Sequence, residues 1–314
     1  MATRHVTYYG QTFPVPPVPP SPPSPTSENS TKERPTSENE KGDKKIPFQD
    51  LVEKDCGCTH LIVSSVHFGY EDDGEPYIHL NNESPDSPTF TQVWKSTETL
   101  VRERGVVATL MMGGAGGAFH RLFQNFDTFY PLLLHTLRTR PYLRGIDLDV
   151  EEEVDLDQLC QLITILDEEF GPSFLITMAP VVGALVSPEE PGMGGFTYGD
   201  LRKRKEGKRI DYFHAQCYGG SFTAQTFDAI VDAGWAPSAI VCGILSGDYP
   251  DSESWASYLE TVQQIKHKHP TWGGVFVWEY SDCPPSHGVE SGEWASQVSS
   301  IVNPRPAPSW CHIL

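Results

Sequence analysis

Short apolar runs rich in β-branched residues alternate along the chain with longer stretches in which apolar residues recur at helical spacing. Eight runs have the length and composition of buried strands: residues 6–10, 60–66, 106–112, 145–151, 175–179, 212–218, 240–245 and 274–278. The stretches between them, such as 157–170 and 254–267, carry one apolar face. Because eight alternating β/α units can close without leaving an edge strand, the pattern predicts an α/β fold, a (β/α)8 TIM barrel in a single domain.

Residues 14–45 depart from this pattern. The segment opens with a proline-rich run and continues in Ser, Thr, Glu, Asn and Lys without apolar periodicity. Such a composition cannot bury enough apolar surface to offset the entropy lost on ordering. We therefore predict a disordered Pro-rich insertion after the first strand of a barrel that spans residues 1–305, with a C-terminal tail over 306–314.

Charge and composition exclude several classes of partner. The chain has 314 residues and a net charge of −19, whereas a nucleic-acid or anionic-membrane surface needs clustered Lys and Arg. No apolar run is long enough to span a membrane, and no secretory signal follows Met1. The seven cysteines form no disulfide-like framework, so we expect reduced thiols and a cytoplasmic protein.

The last four residues, from Cys311 to Leu314, have the form of a prenylation box. His312 stands where an aliphatic residue is usual, and no polybasic segment precedes the box. We expect at most weak prenylation at Cys311, and an ordinary unmodified tail is the alternative.

The strongest chemical signal is the run Gly-Ile-Asp-Leu-Asp-Val-Glu at 145–151. In a strand, side chains alternate between two faces, so Asp147, Asp149 and Glu151 share one face and the aliphatic residues share the other. In a barrel the acidic row then faces the interior and climbs toward the C-terminal mouth, where active sites lie. Burial and repulsion should raise the pKa of some of these groups. Glu151, nearest the mouth, is the candidate general acid, and Asp147 and Asp149 could share a proton.

Two other interpretations of the acidic segment fit less well. A solvated acidic run is one, since four more acids follow: Glu152, Glu153, Asp155 and Asp157. The strict alternation before Glu151 favours a strand, with the later acids in a loop and at a helix N-terminus. An EF-hand loop is excluded, because Glu152 stands where its glycine is required and Gln158 where its bidentate glutamate is required.

A glycine-rich segment follows the third strand. Gly114-Ala115-Gly116 opens a dinucleotide-binding pattern, but Phe119 stands where the third glycine belongs. We interpret Gly113 and Gly114 instead as positions where the backbone approaches a sugar closely.

The acidic run at 145–151 resembles the D-G-x-D-x-D-x-E signature of glycoside hydrolase family 18, with Arg144 in place of the first Asp. We expect that position to lie at the buried start of the strand and to affect packing. The resemblance implies substrate-assisted retention, in which the sugar's own 2-acetamido oxygen attacks the anomeric carbon and no metal or cofactor is needed. It implies that Glu151 protonates the leaving oxygen, that Asp149 holds the acetamide N–H and that Asp147 supports Asp149.

Other strand ends carry residues that match this family. Tyr218 closes the sixth strand, where the family's Tyr binds the acetamide carbonyl, and Trp278 closes the eighth, where the family's Trp lies under the cleaved sugar. For Tyr218 and Trp278 alike, the alternative is a purely structural role in the apolar core. Gly113 and Gly114 stand where the family has S-x-G-G, with Met111 replacing the Ser.

Three further stretches, around Tyr9, Met178 and Gln216, resemble fungal endo-β-N-acetylglucosaminidases, and we include these three residues among the candidate substrate-binding positions. Gln216 in Gln-Cys-Tyr-Gly replaces the Met of the M-x-Y-D that chitinases usually carry. The interval from Leu245 to Gly274 leaves no room for the subdomain that walls the groove of many chitinases. The resemblance therefore favours cleavage of the N,N'-diacetylchitobiose core of N-glycans over chitin hydrolysis. A lectin-like protein that binds without cutting is a third possibility, although such proteins typically lose the acid.

Overall fold

The computed structural model describes residues 5–11, 48–249, 251–280 and 291–304. The strands are β1 (His5–Gln11), β2 (His60–Tyr70), β3 (Pro76–Leu80), β4 (Val107–Gly113), β5 (Leu143–Asp149), β6 (Leu175–Met178), β7 (Tyr212–Gln216), β8 (Ile240–Leu245) and β9 (Gly274–Trp278). The α-helices are α1 (Gln49–Glu53), α2 (Thr91–Arg104), α3 (Phe119–Gln124), α4 (Phe126–Arg138), α5 (Leu156–Phe170), α6 (Val182–Val186), α7 (Tyr198–Lys203), α8 (Ala224–Asp232), α9 (Ser252–Lys268) and α10 (Ser291–Val302).

The parallel strands close into a barrel, which confirms the predicted fold. Their order is β1-β9-β8-β7-β6-β5-β4-β2, and β1 pairs in parallel with both β9 and β2. Of the described strands, β3 alone stands outside the barrel, because it pairs only with β2 and runs antiparallel to it. The predicted insertion at 14–45 and the tail at 306–314, which includes Cys311, lie outside the described residues.

The hairpin of β2 and β3 was not predicted. β2 continues to Tyr70, beyond the predicted end at residue 66, because β3 supplies hydrogen-bond partners in register from Val66 with Leu80 to Tyr70 with Pro76. Gly74 in the connecting turn has φ +89°, a conformation that favours glycine. The dipeptide Asp73-Gly74 is a hairpin signal in the sequence, but the alternation of apolar and polar residues does not reveal it.

The buried apolar side chains form two layers, because successive side chains of a strand point to opposite faces. The inner layer fills the barrel and consists of Tyr9, Ile62, Met111, Tyr212, Val241 and Phe276. The outer layer lies between the barrel and the helices. It includes the strand residues whose side chains point away from the barrel interior, such as Ile146 and Leu148 of β5. The barrel is therefore a packed core that leaves only its mouth open to ligands.

The helices begin at side-chain caps where the sequence provides them. Asp155 accepts hydrogen bonds from the backbone N–H groups of Asp157 and Gln158 at the start of α5, as expected for the acids that follow the strand. Asp251 and Ser254 form a capping box on α9. Between β8 and β9 the described residues hold a single short 3-10 turn and α9, so that interval contains no additional subdomain.

Two general expectations can be compared with the described part of the chain. No helix within it is long and apolar enough to cross a membrane. Five cysteines there are free thiols, namely Cys56, Cys58, Cys160, Cys217 and Cys242.

Candidate active site

The acidic row of β5 faces the barrel interior, as predicted. Asp147 is fully buried and Asp149 is 5% exposed, while Leu148 between them packs in the outer layer. β5 ends at Asp149, so Glu151 lies just beyond the strand, half-buried at the mouth. The strand thus arranges three carboxyl groups from the barrel centre to its opening.

Asp147 is held by donors from three other strands. Tyr9 of β1 donates its hydroxyl to Oδ2 at 2.5 Å. Thr177 of β6 donates its hydroxyl to Oδ1, and Nδ1 of His214 on β7 donates to the same oxygen at 3.0 Å. Burial by itself raises the pKa of Asp147, but His214, Thr177 and Tyr9 together hold that pKa below its ordinary value. Asp147 is therefore ionised.

Asp149 has the opposite electrostatic environment. Burial is the largest influence and raises its pKa well above the ordinary value, and the charges of Glu151 and Asp147 raise the pKa further. A hydrogen bond from Gln216 acts in the other direction but is weaker. The proton therefore resides on Asp149. The expectation that Asp147 and Asp149 share a proton is corrected, because the pKa of Asp147 is held below its ordinary value whereas the pKa of Asp149 is raised well above it.

Gln216 joins the two outer acids. Its Nε2 lies 3.1 Å from Oδ1 of Asp149, 3.2 Å from Oε1 of Glu151 and 2.7 Å from the carbonyl oxygen of Ala179. An amide nitrogen carries two hydrogens, so three acceptors must share them. The short bond to Ala179 fixes the amide, and the remaining hydrogen is shared between the two carboxyl groups.

The glycines after β4 let the main chain pass close to the acidic strand. Gly113 has φ +101°, and a Cβ there would lie 2.2 Å from the carbonyl oxygen of Asp149. Gly114 has φ +84° and donates its N–H to that oxygen at 2.9 Å. Both positions therefore require glycine, because the main chain passes close to that of Asp149, and both line the cavity at the mouth. The close approach to a sugar, which the sequence suggested, stays a prediction.

A cavity of about 380 Å³ opens at the mouth above Trp278. Its lining is formed by Ser65, His67, Asn81, Asn82, Met111, Gly113, Gly114, Ala115, Gly116 and Trp278. Trp278 also packs on the inner layer, with its ring 5.4 Å from that of Tyr9. Its half-buried ring thus presents an aromatic surface to this cavity, a suitable partner for the apolar face of a pyranose.

Tyr218 lies next to the same acids. Burial raises the pKa of its hydroxyl, and the charges of Asp149 and Glu151 raise it further. The ring packs on the inner layer, 6.4 Å from Phe276. The hydroxyl therefore stays protonated at all ordinary pH values and can donate a hydrogen bond at the mouth.

Three expected positions differ from the prediction. Tyr9 is 2% exposed and its hydroxyl is used by Asp147, so it supports the acid rather than lining the cavity. Met178 is fully buried in the outer layer, because its neighbour Thr177 takes the inward face, and this burial does not support a sugar contact at Met178. Arg144 is exposed, which corrects the expectation of a buried position.

Two partners of Asp147, namely Thr177 and His214, were not among the predicted site residues. Each lies on the inward face of a predicted strand, so strand alternation applied to strands five and six could have found them. Within the part of the chain that the structure describes, no group of His, Cys, Asp or Glu is arranged to hold a metal ion.

Two solved structures are similar to this chain over nearly its whole length. A fungal endo-β-N-acetylglucosaminidase from glycosyl hydrolase family 18 is 28% identical, with 96% of this chain and 99% of that chain covered and a TM-score of 0.74. The chitinase ChiC from Aspergillus fumigatus is 29% identical, with 94% and 98% covered and a TM-score of 0.71.

A more distant structure shares the fold alone. The putative chitinase A from Streptomyces coelicolor is 15% identical, with 95% of this chain and 98% of that chain covered and a TM-score of 0.61. No protein-family model matches the chain, and no curated protein does.

Proposed function

Because the chain is a glycoside hydrolase of family 18, we propose that it is an endo-β-N-acetylglucosaminidase. In this proposal it hydrolyses the β-1,4 bond of the N,N'-diacetylchitobiose core of N-glycans with substrate-assisted retention. The observation that carries the proposal is the amide of Gln216 between Asp149 and Glu151. Chitinases of the family usually have Met at this position.

The connection between β8 and β9 supports an open cleft. Its described residues form a short 3-10 turn and α9, and none of these elements walls a deep groove around a linear polymer. An open mouth suits a branched glycan that is still attached to a polypeptide, because neither side of the cleaved bond has to thread through a tunnel.

The protonated Asp149 gives the proposed mechanism its first step. An acetamide N–H that donates to Asp149 favours the ionised form of that carboxyl, so the proton moves toward Glu151, which the Gln216 amide holds nearby. Ionised Asp149 then stabilises the positive charge of the oxazolinium intermediate. Asp147, kept ionised by its three donors, adds negative charge to the same region.

Glu151 acts on the departing sugar in this proposal. From its place at the mouth it protonates the leaving oxygen and later takes a proton from the attacking water. Tyr218 donates its hydroxyl to the acetamide carbonyl and thereby orients that oxygen toward the anomeric carbon. Trp278 supports the sugar ring from below.

Incubating the protein with an N-glycoprotein tests the substrate. We expect released glycan and a single N-acetylglucosamine left on each asparagine, both detected by mass. The second candidate function is chitin hydrolysis, favoured by the 29% identity to a fungal chitinase. If chitin oligomers are shortened while the N-glycoprotein keeps its glycans, the activity is that of a chitinase instead.

Two substitutions separate the roles of the acids. Glu151→Gln should reduce hydrolysis by at least about 10²–10⁴-fold, because general acid catalysis contributes that much. Asp149→Asn should slow hydrolysis yet still transfer sugar from a preformed oxazoline to an N-acetylglucosamine acceptor, because Glu151 can activate the acceptor.

The same measurements can contradict the mechanism. A covalent glycosyl-enzyme adduct on any Asp or Glu, found by mass spectrometry, would replace substrate assistance with an enzyme nucleophile. Binding of glycan by the wild-type chain without any turnover would support the lectin-like alternative.

A further inference from the structure

A second depression is formed by loops at the mouth of the barrel and shares no residue with the cavity above Trp278. Its lining, here called the α3 groove, consists of His120, Phe123, Gln124, Glu153, Val154, Asp155, Leu156, Gln158, Gly195 and Phe196. These residues come from α3, the loop after β5, the start of α5 and the loop before α7. The volume of about 570 Å³ is within the range of ligand sites, and no step of the proposed mechanism uses it.

The α3 groove adjoins the proposed acid. Glu153 follows Glu151 by two residues, so their Cα atoms are at most about 7 Å apart. The segment 113–124 lines the cavity above Trp278 with its first residues and the α3 groove with its last. In the proposed reaction Glu151 protonates the oxygen of the leaving sugar, and in an N-glycan that sugar is attached to asparagine. The polypeptide therefore lies one sugar beyond Glu151, within reach of the α3 groove.

The floor of the α3 groove is apolar. Phe196 is 7% exposed, and the half-buried side chains that leave part of their surface open are Phe123, Val154 and Leu156. The N–H of Val154 donates to the carbonyl oxygen of Gly194 at 3.0 Å, which ties the loop after β5 to the loop before α7. Met193, next to Gly194, is 47% exposed, and a flexible methionine adapts to varied apolar partners. The floor can thus bury apolar side chains of an extended polypeptide.

Two carboxylates stand at the edge of this floor. Glu153 and Asp155 are exposed and form no ion pair with any described residue, whereas the neighbouring Asp157 pairs with Arg204. A Cβ on Gly195 would lie 2.9 Å from Cγ of Glu153, so the Glu153 side chain lies across Gly195. Asp155 uses Oδ1 to cap α5, and its other oxygen can accept from a ligand. The α3 groove thus combines an apolar floor with two negative charges.

The surface around the α3 groove has the same sign of charge. The described segments that connect each barrel strand to the following helix are 71–90, 114–118, 150–155, 179–197, 217–223, 246–249 and 279–280. These segments contain Asp and Glu but neither Lys nor Arg. A surface of one sign attracts ligands of the opposite sign and repels those of its own. A basic polypeptide is therefore complementary to the mouth of the barrel, and an acidic one is not.

We propose that the α3 groove binds the polypeptide of a glycoprotein next to the glycosylated asparagine, and that Glu153 and Asp155 select a Lys or Arg there beside an apolar residue. The proposal rests on the proposed function, because only an N-glycan carries a polypeptide beyond the leaving sugar. The two acids determine specificity and take no part in bond cleavage. The α3 groove contacts the protein part of the substrate and no saccharide.

Synthetic N-glycopeptides that differ only beside the glycosylated asparagine test the proposal. All carry the same neutral glycan and flanking leucines, with lysine, serine or glutamate next to them, and kcat/KM is measured for each. An exposed ion pair strengthens binding by up to about fivefold, and such binding raises kcat/KM. We expect the lysine peptide to exceed the serine peptide by roughly three- to tenfold and the glutamate peptide to fall below both. At about 1 M salt, where the Debye length is about 3 Å, the differences should shrink below about twofold.

Charge variants assign the preference to the α3 groove. Glu153→Gln combined with Asp155→Asn should bring the lysine and serine peptides within about twofold of each other, and Asn still caps α5. Glu153→Lys combined with Asp155→Asn should invert the order, so that the glutamate peptide is cleaved fastest. Asp72→Asn combined with Glu75→Gln, at the exposed tip of the hairpin, removes the same charge elsewhere and should leave the preference for lysine in place. Thermal melting shows whether each variant retains the fold.

A free oligosaccharide with the same chitobiose end separates polypeptide from sugar contacts. Glu153→Gln combined with Asp155→Asn should lower kcat/KM several-fold more for the lysine glycopeptide than for this oligosaccharide. An equal loss for both substrates would show that the α3 groove contacts sugar, and the proposal would be wrong.

The remaining outcomes separate this proposal from the proposed function. If the wild type cleaves the three glycopeptides equally, or if the hairpin-tip variant loses the preference as the groove variant does, the α3 groove does not select the polypeptide, while the proposed function stands. If no glycopeptide is cleaved, the proposed function fails and the role of the α3 groove fails with it.

Discussion

At the residue scale, Asp149 combines catalytic chemistry with a cost in stability. Its pKa is raised well above the ordinary value by burial and by the charges of Glu151 and Asp147. An unfolded Asp ionises near pH 3.9, so unfolding at neutral pH releases a proton that the folded chain retains. The stability of the protein therefore falls as pH rises from about 4 toward the pKa of the folded state.

Asp149→Asn should remove this pH dependence. The amide is close in shape to the protonated carboxyl and cannot ionise, so we expect the variant to melt higher than the wild type at pH 7 and to lose that advantage near pH 4. Melting curves across this pH range are the measurement. Asp127→Asn, at an exposed position, is the control and should show no such trend. A melting temperature at pH 7 equal to the wild type would argue against a protonated Asp149.

At the element scale, the loop after β5 contacts the start of α3 through one side chain. Glu152 follows the proposed acid directly and accepts hydrogen bonds from the backbone N–H groups of Ala118 at 2.5 Å and Phe119 at 2.6 Å. Its carboxylate thus serves unpaired donors at a helix N-terminus. Neighbouring acids in one segment therefore have different tasks, since Glu151 faces the mouth and Glu152 stabilises a helix.

Glu152→Ala should destabilise the protein without removing the acid. Loss of a capping carboxylate typically costs about 0.5–2 kcal/mol, and we expect a decrease of that size in the free energy of unfolding, measured by urea denaturation. Residual activity should stay far above that of Glu151→Gln. Glu153→Ala, at the exposed next position, is the matched control. A loss of activity as large as that of Glu151→Gln would instead assign acid chemistry to Glu152.

At the scale of the whole molecule, α10 packs against β1, the strand at which the barrel closes. Trp294 is 1% exposed and lies 5.0 Å from the ring of Tyr8. The backbone N–H of Ala295 donates to the Tyr8 hydroxyl at 3.1 Å. Because β1 pairs with both β9 and β2, contacts that hold it stabilise the closed barrel.

Trp294→Ala should reduce the free energy of unfolding by about 3–5 kcal/mol, the usual cost of deleting a buried Trp side chain. Denaturant titration followed by circular dichroism measures this change. Gln264→Ala, at an exposed position on α9, should change stability by less than about 0.5 kcal/mol. A similar small effect at Trp294 would show that barrel closure does not depend on this helix.

The sequence alone determined the barrel and the orientation of its acids. Alternation along a strand is a property of local backbone geometry, so the order Asp147, Asp149, Glu151 could be assigned to one face before any contact was known. A close backbone approach at Gly113 and Gly114 was also expected from the sequence, but it was expected toward a sugar, and only the structure shows that the neighbour is the main-chain carbonyl of Asp149. The hairpin of β2 and β3 was missed, although its turn was present in the sequence.

Only the tertiary structure decided which carboxyl keeps the proton. Tyr9, Thr177 and His214 come from three strands that are distant in sequence, and they meet at Asp147 because the barrel closes. Their donors hold Asp147 ionised, and burial beside that charge leaves the proton on Asp149. Periodicity gives the face on which a side chain lies. A pKa depends on the charges, donors and solvent around a group, and these are fixed only when separate strands pack together.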